Sequence, residues 1–445
     1  MTPVVLATDA LIWLLVAAVV VYALYCRRRP HLAAPWKRVF QSRAAVVSAV
    51  VLGCYLVVGL ADSLHYRSPD SVEVQSLLDR MLSLLRQKGE KTYSAPLAMR
   101  LYAKEQIEAP GGKQVRDYPR LRHGGAHLDN ESDRVIDVVM RAAIGLCAAG
   151  VLWALLYFAS RPLARRYPHV PWRAAWITAG GILALAGPIA SLALHYHVLG
   201  TTQVGQDVLY LALKSIRTSL VIGTLTTLVL LPLGIALGVM AGYFKGWIDD
   251  AIQYLYTTLN SIPGVLLIAA AVLMMQVVID RHPEWFPTAA QRADFRLLVL
   301  CAILGLTSWT GLARLLRGEA LKLSQLEYIQ AAHAFGVSDA RILGRHIVPN
   351  VGHIVIIAMV MDFSGFVLAE AVLSYVGVGV DPATTSFGTM INSARLEMGR
   401  EPIVWWSLAA AFAFMFVLVL AANLFADAVR DGFDPRVSVG GALAV

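Results

Sequence analysis

Charge is the scarcest property of this sequence. Asp, Glu, Lys and Arg make up 15% of its 445 residues, where a soluble protein carries about 25%. The chain is 57% hydrophobic, and its apolar residues run in long blocks rather than alternating with polar ones. This excludes a soluble enzyme, a disordered chain and a nucleic-acid-binding domain. Acids are scarcer than bases, for a formal charge of +8. Much of the Arg and Lys flanks the apolar blocks, where it sets membrane orientation. Cysteine is scarce too. Cys26, Cys54, Cys147 and Cys301 lie in or beside apolar blocks with no CxxC spacing, which argues against a disulfide framework or a zinc site and for small packing residues.

Catalytic signatures are also missing. The chain has no GxxxxGK[ST], no HExxH and no GxSxG, so it has no phosphate-cradling loop of its own. Gly377 and Gly379 lack the third glycine of a dinucleotide fingerprint. His123 and His127 flank a Gly pair that disfavours a helix, so a solvated loop is favoured over a metal site. His195 and His197 sit where a span meets water, and they read the same way. The first apolar block has no basic n-region before it and is expected to be retained.

What is present is membrane-spanning helix. A block of about 20 apolar residues crosses the hydrocarbon core. Nine spans are expected, at 5–26, 43–63, 136–159, 174–196, 214–243, 254–280, 297–316, 351–376 and 403–427. Arg27, Arg28, Arg29, Lys37 and Arg38 follow the first span, and Arg161, Arg165, Arg166 and Arg173 follow the third, with no acid in either loop. Both loops should be cytoplasmic, which puts the N-terminus outside and the C-terminus inside. The segment 64–135 is then external. Within it, Val74, Leu77, Leu78, Met81, Leu82 and Leu85 share a helical face over 72–88, and 109–130 reads as loop.

One cytoplasmic loop is too regular to be coil. Residues 319–350 carry an apolar stripe of Leu323, Leu326 and Ile329, then Gly336 as a helix stop. Ser338 is placed to cap a second short helix, with Asp339 on its positive end. Pro349 and Asn350 are expected to end that helix and start the eighth span. The product is a helix-Gly-helix elbow. It reads either as a surface hairpin or as a handle by which a partner moves two spans.

The elbow resembles the EAA loop of ABC importer permeases. Gln330, Ala331, Ala332, Gly336 and Pro349 stand at its spacings, with Gln330 in place of the usual Glu, and Arg345-His346 resembles the version of the peptide and nickel branch. Further along, LGTTQVGQDVL (199–209) resembles that branch's LGTDxLGRDVL, and GYFKGWID resembles its GYFGGWxD turn. Asn260, Ser261, Ile262 and Pro263 resemble its SIP bend, LAEAVLSYVGVG its LxEAxLSFLGLG run, and AVRDGFDPR its closing LRDxxDPR. These signals occur in order over about residues 197–436 and point to the C-type subunit of a dipeptide or oligopeptide permease.

The resemblance implies an all-α polytopic membrane protein with a type I ABC importer permease core of six helices. About three further spans lie in the N-terminal half. The expected divisions are 1–63 (spans one and two), 64–135 (external insertion), 136–196 (added spans three and four), 197–436 (permease core with coupling loop 317–350) and 437–445 (tail). It also implies a second permease subunit, two ATPase subunits holding ATP and Mg, an external solute-binding protein and a peptide cargo. This chain itself would hold no cofactor and no nucleic acid, in a bacterial inner membrane. Gln330, Ala331, Ala332, Gly336, Asp339, Arg345, His346 and Pro349 would couple to the ATPases. Gly200, Thr201, Gly205 and Asp207 would face the binding protein.

Asn260, Ser261, Pro263 and Glu370 are candidates for the translocation path. Pro263 would bend span six as a gate or a simple kink. A charge in mid-membrane must face protein or a wet path. Glu370 is therefore either path lining or a helix-helix hydrogen bond, and for Asp362 the hydrogen bond is favoured. Two other readings stand beside the peptide importer. One is the same machine carrying nickel chelate, a sugar or another small solute. The other is a secondary transporter or membrane enzyme that needs no ATPase.

Overall fold

The computed structural model describes residues 2–67, 74–108 and 114–433. In chain order it contains β1 (Thr2–Val4), α1 (Ala7–Arg27), α2 (Pro30–Val39), α3 (Arg43–Asp62), β2 (His65–Arg67), β3 (Val74–Ser76), α4 (Leu77–Met81) and α5 (Ser83–Gln87). Then come β4 (Glu105–Glu108), β5 (Gln114–Asp117), α6 (Arg134–Arg166), α7 (Trp172–Ala193), α8 (Val208–Phe244), α9 (Gly246–Ser261) and α10 (Gly264–Arg281). The chain continues through α11 (Ala289–Ser308), α12 (Thr310–Leu323), α13 (Glu327–Ala334), α14 (Asp339–Ile342), α15 (Val348–Val376), α16 (Phe387–Glu397) and α17 (Trp406–Phe433).

Among the described residues, eight helices are long and apolar enough to cross a membrane, or nine if α11 and α12, bent by 41°, count as one span. In hydrocarbon every backbone N–H and C=O must be satisfied within the chain, and helices do this segment by segment. The architecture is therefore helical, as expected. Two small antiparallel sheets, β1-β2-β3 and β4-β5, are the exception.

Three sequence expectations change. Residues 74–76 are a strand, not the start of an amphipathic helix, and 72 and 73 lie outside the described residues. Ser76 caps α4 through a reciprocal bond with Asp79, and Leu82 separates α4 from α5. Leu78 and Leu85 are buried as the stripe required, but Met81 is 69% exposed. Next, the stretch read as loop over 109–130 contains β5, paired with β4; residues 109–113 lie outside the described residues. Last, the sixth span does not begin at 254. Ile262 is extended and Pro263 stands at the N-cap of α10, so α9 is a separate helix. Proline has no N–H and disfavours helix in the residue before it, so it starts α10 instead of kinking a continuous span.

The chain forms two compact units. The first comprises residues 2–5, 40–219 and 382–421. Here α6 and α7 pack at glycine: a Cβ on Gly145 would lie 2.4 Å from the Gly187 carbonyl. Small residues let membrane helices approach this closely. At the start of α6, Asp137 takes bonds from Arg141, Tyr196 Oη (2.7 Å) and His127 (2.9 Å), tying the hairpin to the loops around it. His127 is thus an Asp137 partner, and no metal-capable group of three such residues occurs among the described residues.

The second unit comprises 6–39, 220–381 and 422–433. Its core is built on Ile222, Leu297, Leu304, Leu316, Ile342, Ile347 and Leu373. Gly234, Gly238 and Gly242 repeat every four residues on α8. Added Cβ atoms at the last two would strike the carbonyls of Ala313 (2.6 Å) and Arg317 (2.4 Å), so this stripe seats α12. The N-cap of α1 is Leu6, which has no side-chain acceptor. Asp294 of α11 supplies one, accepting from Thr8 N (3.1 Å) and the Thr8 hydroxyl.

The elbow, the helix break and the covered loop before α8

The elbow forms as its glycine requires. Gly336 has φ +75°, a left-handed backbone that only glycine takes cheaply. Its N–H bonds the His333 carbonyl (2.9 Å), and Val337 N–H bonds the Ala332 carbonyl (3.1 Å). These are the two bonds of a Schellman stop, and Val337 and Ala332 both pack on the core beneath it. Just before the turn Phe335 is 87% exposed. Gln330, Ala331 and Arg345 are exposed as well.

The second limb differs from expectation. Ser338 stands at the N-cap of α14, but its hydroxyl makes no capping bond. Asp339 carries the local contact instead, accepting from Tyr243 Oη at 2.6 Å. Nor do Pro349 and Asn350 end that helix. A π turn over Leu343–Ile347 leads from α14 into α15, with Pro349 in the first turn of α15. A proline ring clashes with the carbonyl four residues back, here Arg345, and the widened turn makes room for it. His346 lies beside Tyr328, whose hydroxyl takes a bond from Asn350 Nδ2 (3.2 Å). The two limbs are therefore linked to each other. At the base, Arg317 forms a bidentate pair with Asp249, both contacts at 2.6 Å, joining α12 to α9. Arg317 holds the Asp249 carboxyl below its usual range.

The path candidates divide. Asn260, Ser261 and Pro263 sit together and exposed at the α9–α10 break, with Asn260 Oδ1 accepting from Thr310 (3.1 Å). Glu370 does not line open space. It is 1% exposed and takes the Ser374 hydroxyl at 2.7 Å. Asp362 is half-buried.

The loop before α8 departs furthest from expectation. Gly200, Thr201, Gly205 and Asp207 are all buried, so they present no surface to a partner. Residues of the 64–135 segment, together with Trp406 at the start of α17, cover them. Glu90 N–H bonds the Gly205 carbonyl (3.0 Å), Ser94 N–H bonds Thr201 Oγ1 (2.7 Å), and Trp406 Nε1 bonds the Thr201 carbonyl (3.0 Å). Asp207 caps α8 through Leu209 N (2.9 Å) and Tyr210 N (3.2 Å), and takes His197 Nδ1 at 2.7 Å. On its other side His197 Nε2 lies 3.4 Å from Glu90. Glu90 also accepts backbone N–H groups of Arg122 (3.0 Å) and His123 (2.8 Å). The HGGAH stretch is therefore a cradle for a buried carboxylate, and His197 is an ion-paired core residue. Sequence reasoning missed both, because Glu90 is far from His197 along the chain.

With the elbow, the α9–α10 break and the loop before α8 in place, comparison with known proteins decides the family. Residues 234–439 match the family described as "Binding-protein-dependent transport system inner membrane component". The glutathione transport system permease protein GsiD of Pectobacterium atrosepticum is 34% identical over 243 residues, covering 54% of this chain and 73% of that protein. The chain belongs to this family. The oligopeptide permease OppC of Mycobacterium tuberculosis is 31% identical over 239 residues (54% of this chain, 76% of OppC). The dipeptide permease DppC of Lactococcus lactis is 28% identical over 242 residues (54% and 64%). The protein is thus a multi-pass permease subunit of a binding-protein-dependent ABC importer in the peptide branch, and not itself an enzyme.

Proposed function

We propose that this permease carries di- or oligopeptides inward, paired with a second permease subunit. Two separate ATPase subunits would bind ATP and Mg, and an external binding protein would deliver the cargo. Glutathione, the cargo named for one relative, is a peptide of this size class. The permease core is residues 197–436 with 317–350 as its coupling loop. Residues 1–63 hold spans one and two, of which span one is an addition and span two corresponds to the core's first helix; 64–135 and 136–196 are further additions, and 437–445 is a tail that, like Asp434 to Arg436, lies outside the described residues. The N-terminus is outside and the C-terminus cytoplasmic, as the basic loops suggest.

The observation that carries this reading is the elbow. It is an exposed aromatic, Phe335, beside a Schellman stop on a loop packed against the core helices. ATP-driven closure of the ATPases would press on Gln330 to Gly336 and on Asp339, Arg345 and His346, and tip the helices continuous with Pro349. A shift between two states needs a ligand with different affinity for each, and ATP bound by the partners supplies that difference. Asn260, Ser261 and Pro263 are the proposed path residues, where backbone outside a helix can line a cavity.

The test is reconstitution of the permease with the second permease, ATPase and binding-protein products of adjacent genes. ATP-dependent uptake of a labelled tripeptide is expected. Solute movement without any bound ATPase would overturn the reading.

A further inference from the structure

Inside a membrane an acid is costly and must face protein, a cation or water. In the second unit, Asp294 of α11 meets this demand with Thr8, and Glu370 of α15 with Ser374. Asp362 does not. It lies midway along α15, and its carboxylate makes no hydrogen bond or ion pair among the described residues. The helix-helix hydrogen bond favoured for it from the sequence does not form.

The neighbours of Asp362 show which way it is open. Phe363 packs on α8, where a Cβ on Gly223 would lie 2.4 Å from its ring. Ser364 donates to Asn423 Oδ1 of α17 at 2.6 Å. On the side away from these contacts, Met361, Gly365, Leu368 and Val372 form an exposed stripe, spaced four, three and four residues apart. Asp362 borders it, since residues three apart on a helix are neighbours. Nothing lies within 4 Å of a Cβ added at Gly365, so the stripe is open beside the acid.

The same level of this unit holds both helix breaks. By helix rise, Asp362 is about 20 Å from the elbow end of α15, and Thr310 is about 20 Å from the elbow end of α12. These two helices pack on each other. Thr310 stands where α11 and α12 bend, and it bonds Asn260 at the α9–α10 break. Beyond Asn260 and Ser261 the extended backbone at Ile262 is exposed. Backbone outside a helix is tolerated at membrane depth only within protein or against a water-filled cavity. Exposed polar groups at this level fit a wet path better than a dry seam between helices.

We propose that Asp362 is the group on the translocation path that receives the α-ammonium of the peptide. Its carboxylate is uncommitted, so it can take a passing cation without breaking an internal bond, as Glu370 would have to. The apolar stripe beside it offers no competing acceptor, so this one charge orients the cargo. The inference rests on the peptide-importer reading, which supplies the ammonium.

The test uses the whole transporter in proteoliposomes with its binding protein. Initial rates of ATP-driven uptake are measured for trialanine and for N-acetyl-trialanine, which lacks the ammonium. The binding protein is the same for every permease variant, so a change in the ratio of the two rates belongs to the permease. Asp362→Asn should lower that ratio at least about tenfold, and Asp362→Glu, which keeps the charge, should retain most of it. A ratio unchanged in Asp362→Asn overturns the proposal. So does failure of Asp362→Asn to assemble with the second permease, which would make the carboxylate a structural contact between subunits. Absence of ATP-driven uptake of either peptide by the wild type strikes the peptide-importer reading itself.

Discussion

His197 Nδ1 lies 2.7 Å from Asp207 Oδ2, while the other oxygen of Asp207 caps α8. One carboxylate therefore fixes both the start of a membrane helix and the histidine that answers Glu90 of the 64–135 segment. Burial by itself lowers the His197 pKa. The hydrogen bond to Asp207 and the charge of Glu90 override it and push the group up to about 9. Burial by itself raises the Glu90 carboxyl, but His197 and the N–H groups of Arg122, His123 and Gly124 hold it at about 2.

The sign of the pH dependence follows. The raised His197 adds stability that is fully present below its ordinary value of 6.5 and fades as pH rises through about 9. The lowered Glu90 adds stability present above its ordinary 4.5 and lost as pH falls through about 2. Thermal unfolding in detergent should therefore be most resistant, from these two groups, between those ordinary values. Replacing His197 with Ala leaves two buried carboxylates unanswered and should cost roughly 3–5 kcal/mol. A His197→Ala protein as stable as the wild type across pH 5–9 would show that the pair contributes nothing.

At Gly205 the constraint is backbone against backbone. Its φ is +74°, and an added Cβ would lie 1.8 Å from the Glu90 carbonyl oxygen. No rotamer change relieves that overlap, so Gly205→Ala must part the loop from residues 88–94. The expected readout is faster proteolysis within 64–135, with the spans still inserted. Unchanged protection would mean that the cover is held elsewhere.

Gly336 separates conformation from packing. Nothing lies within 4 Å of a Cβ added there, so the cost of substitution is the left-handed backbone itself, about 1–2 kcal/mol. A β-branched residue is worse placed than most in that region, and Asn tolerates it best. Gly336→Val should abolish ATP-driven uptake while the protein still inserts, and Gly336→Asn should retain part of it. Unimpaired uptake by Gly336→Val would remove the elbow from the coupling mechanism.

The contrast between these two glycines shows what the sequence could tell. Gly336 was legible because the carbonyls that its turn uses, of Ala332 and His333, are local and its spacing to Pro349 is regular. The spans were legible because length and hydropathy suffice. The α9–α10 break was legible only as a bend at Pro263, because hydropathy reads the apolar run across Ile262 and Pro263 as one continuous span. The π turn before Pro349 was hidden for a related reason: a turn can be widened without any change in composition. The burial of Gly200, Thr201, Gly205 and Asp207 depends on Glu90, Ser94 and Trp406. No local pattern announces contacts so distant along the chain. Asp294 capping α1 is the same case.

Glu370 gives the last prediction. In mid-membrane an acid must have a partner, and Ser374, one helical turn on, donates to Oε1 at 2.7 Å. With 1% of its surface exposed, Glu370 has no open face for cargo in this state. Gln keeps the acceptor that Ser374 uses and adds a donor without charge. Glu370→Gln should therefore leave the KM and maximal rate of peptide uptake close to wild type, and Glu370→Ala should lower the yield of folded protein by removing the acceptor and leaving a cavity. If Glu370→Gln raises KM severalfold while ATPase association and unfolding temperature stay unchanged, the carboxylate meets cargo in another state. It would then rejoin Asn260, Ser261 and Pro263 on the path.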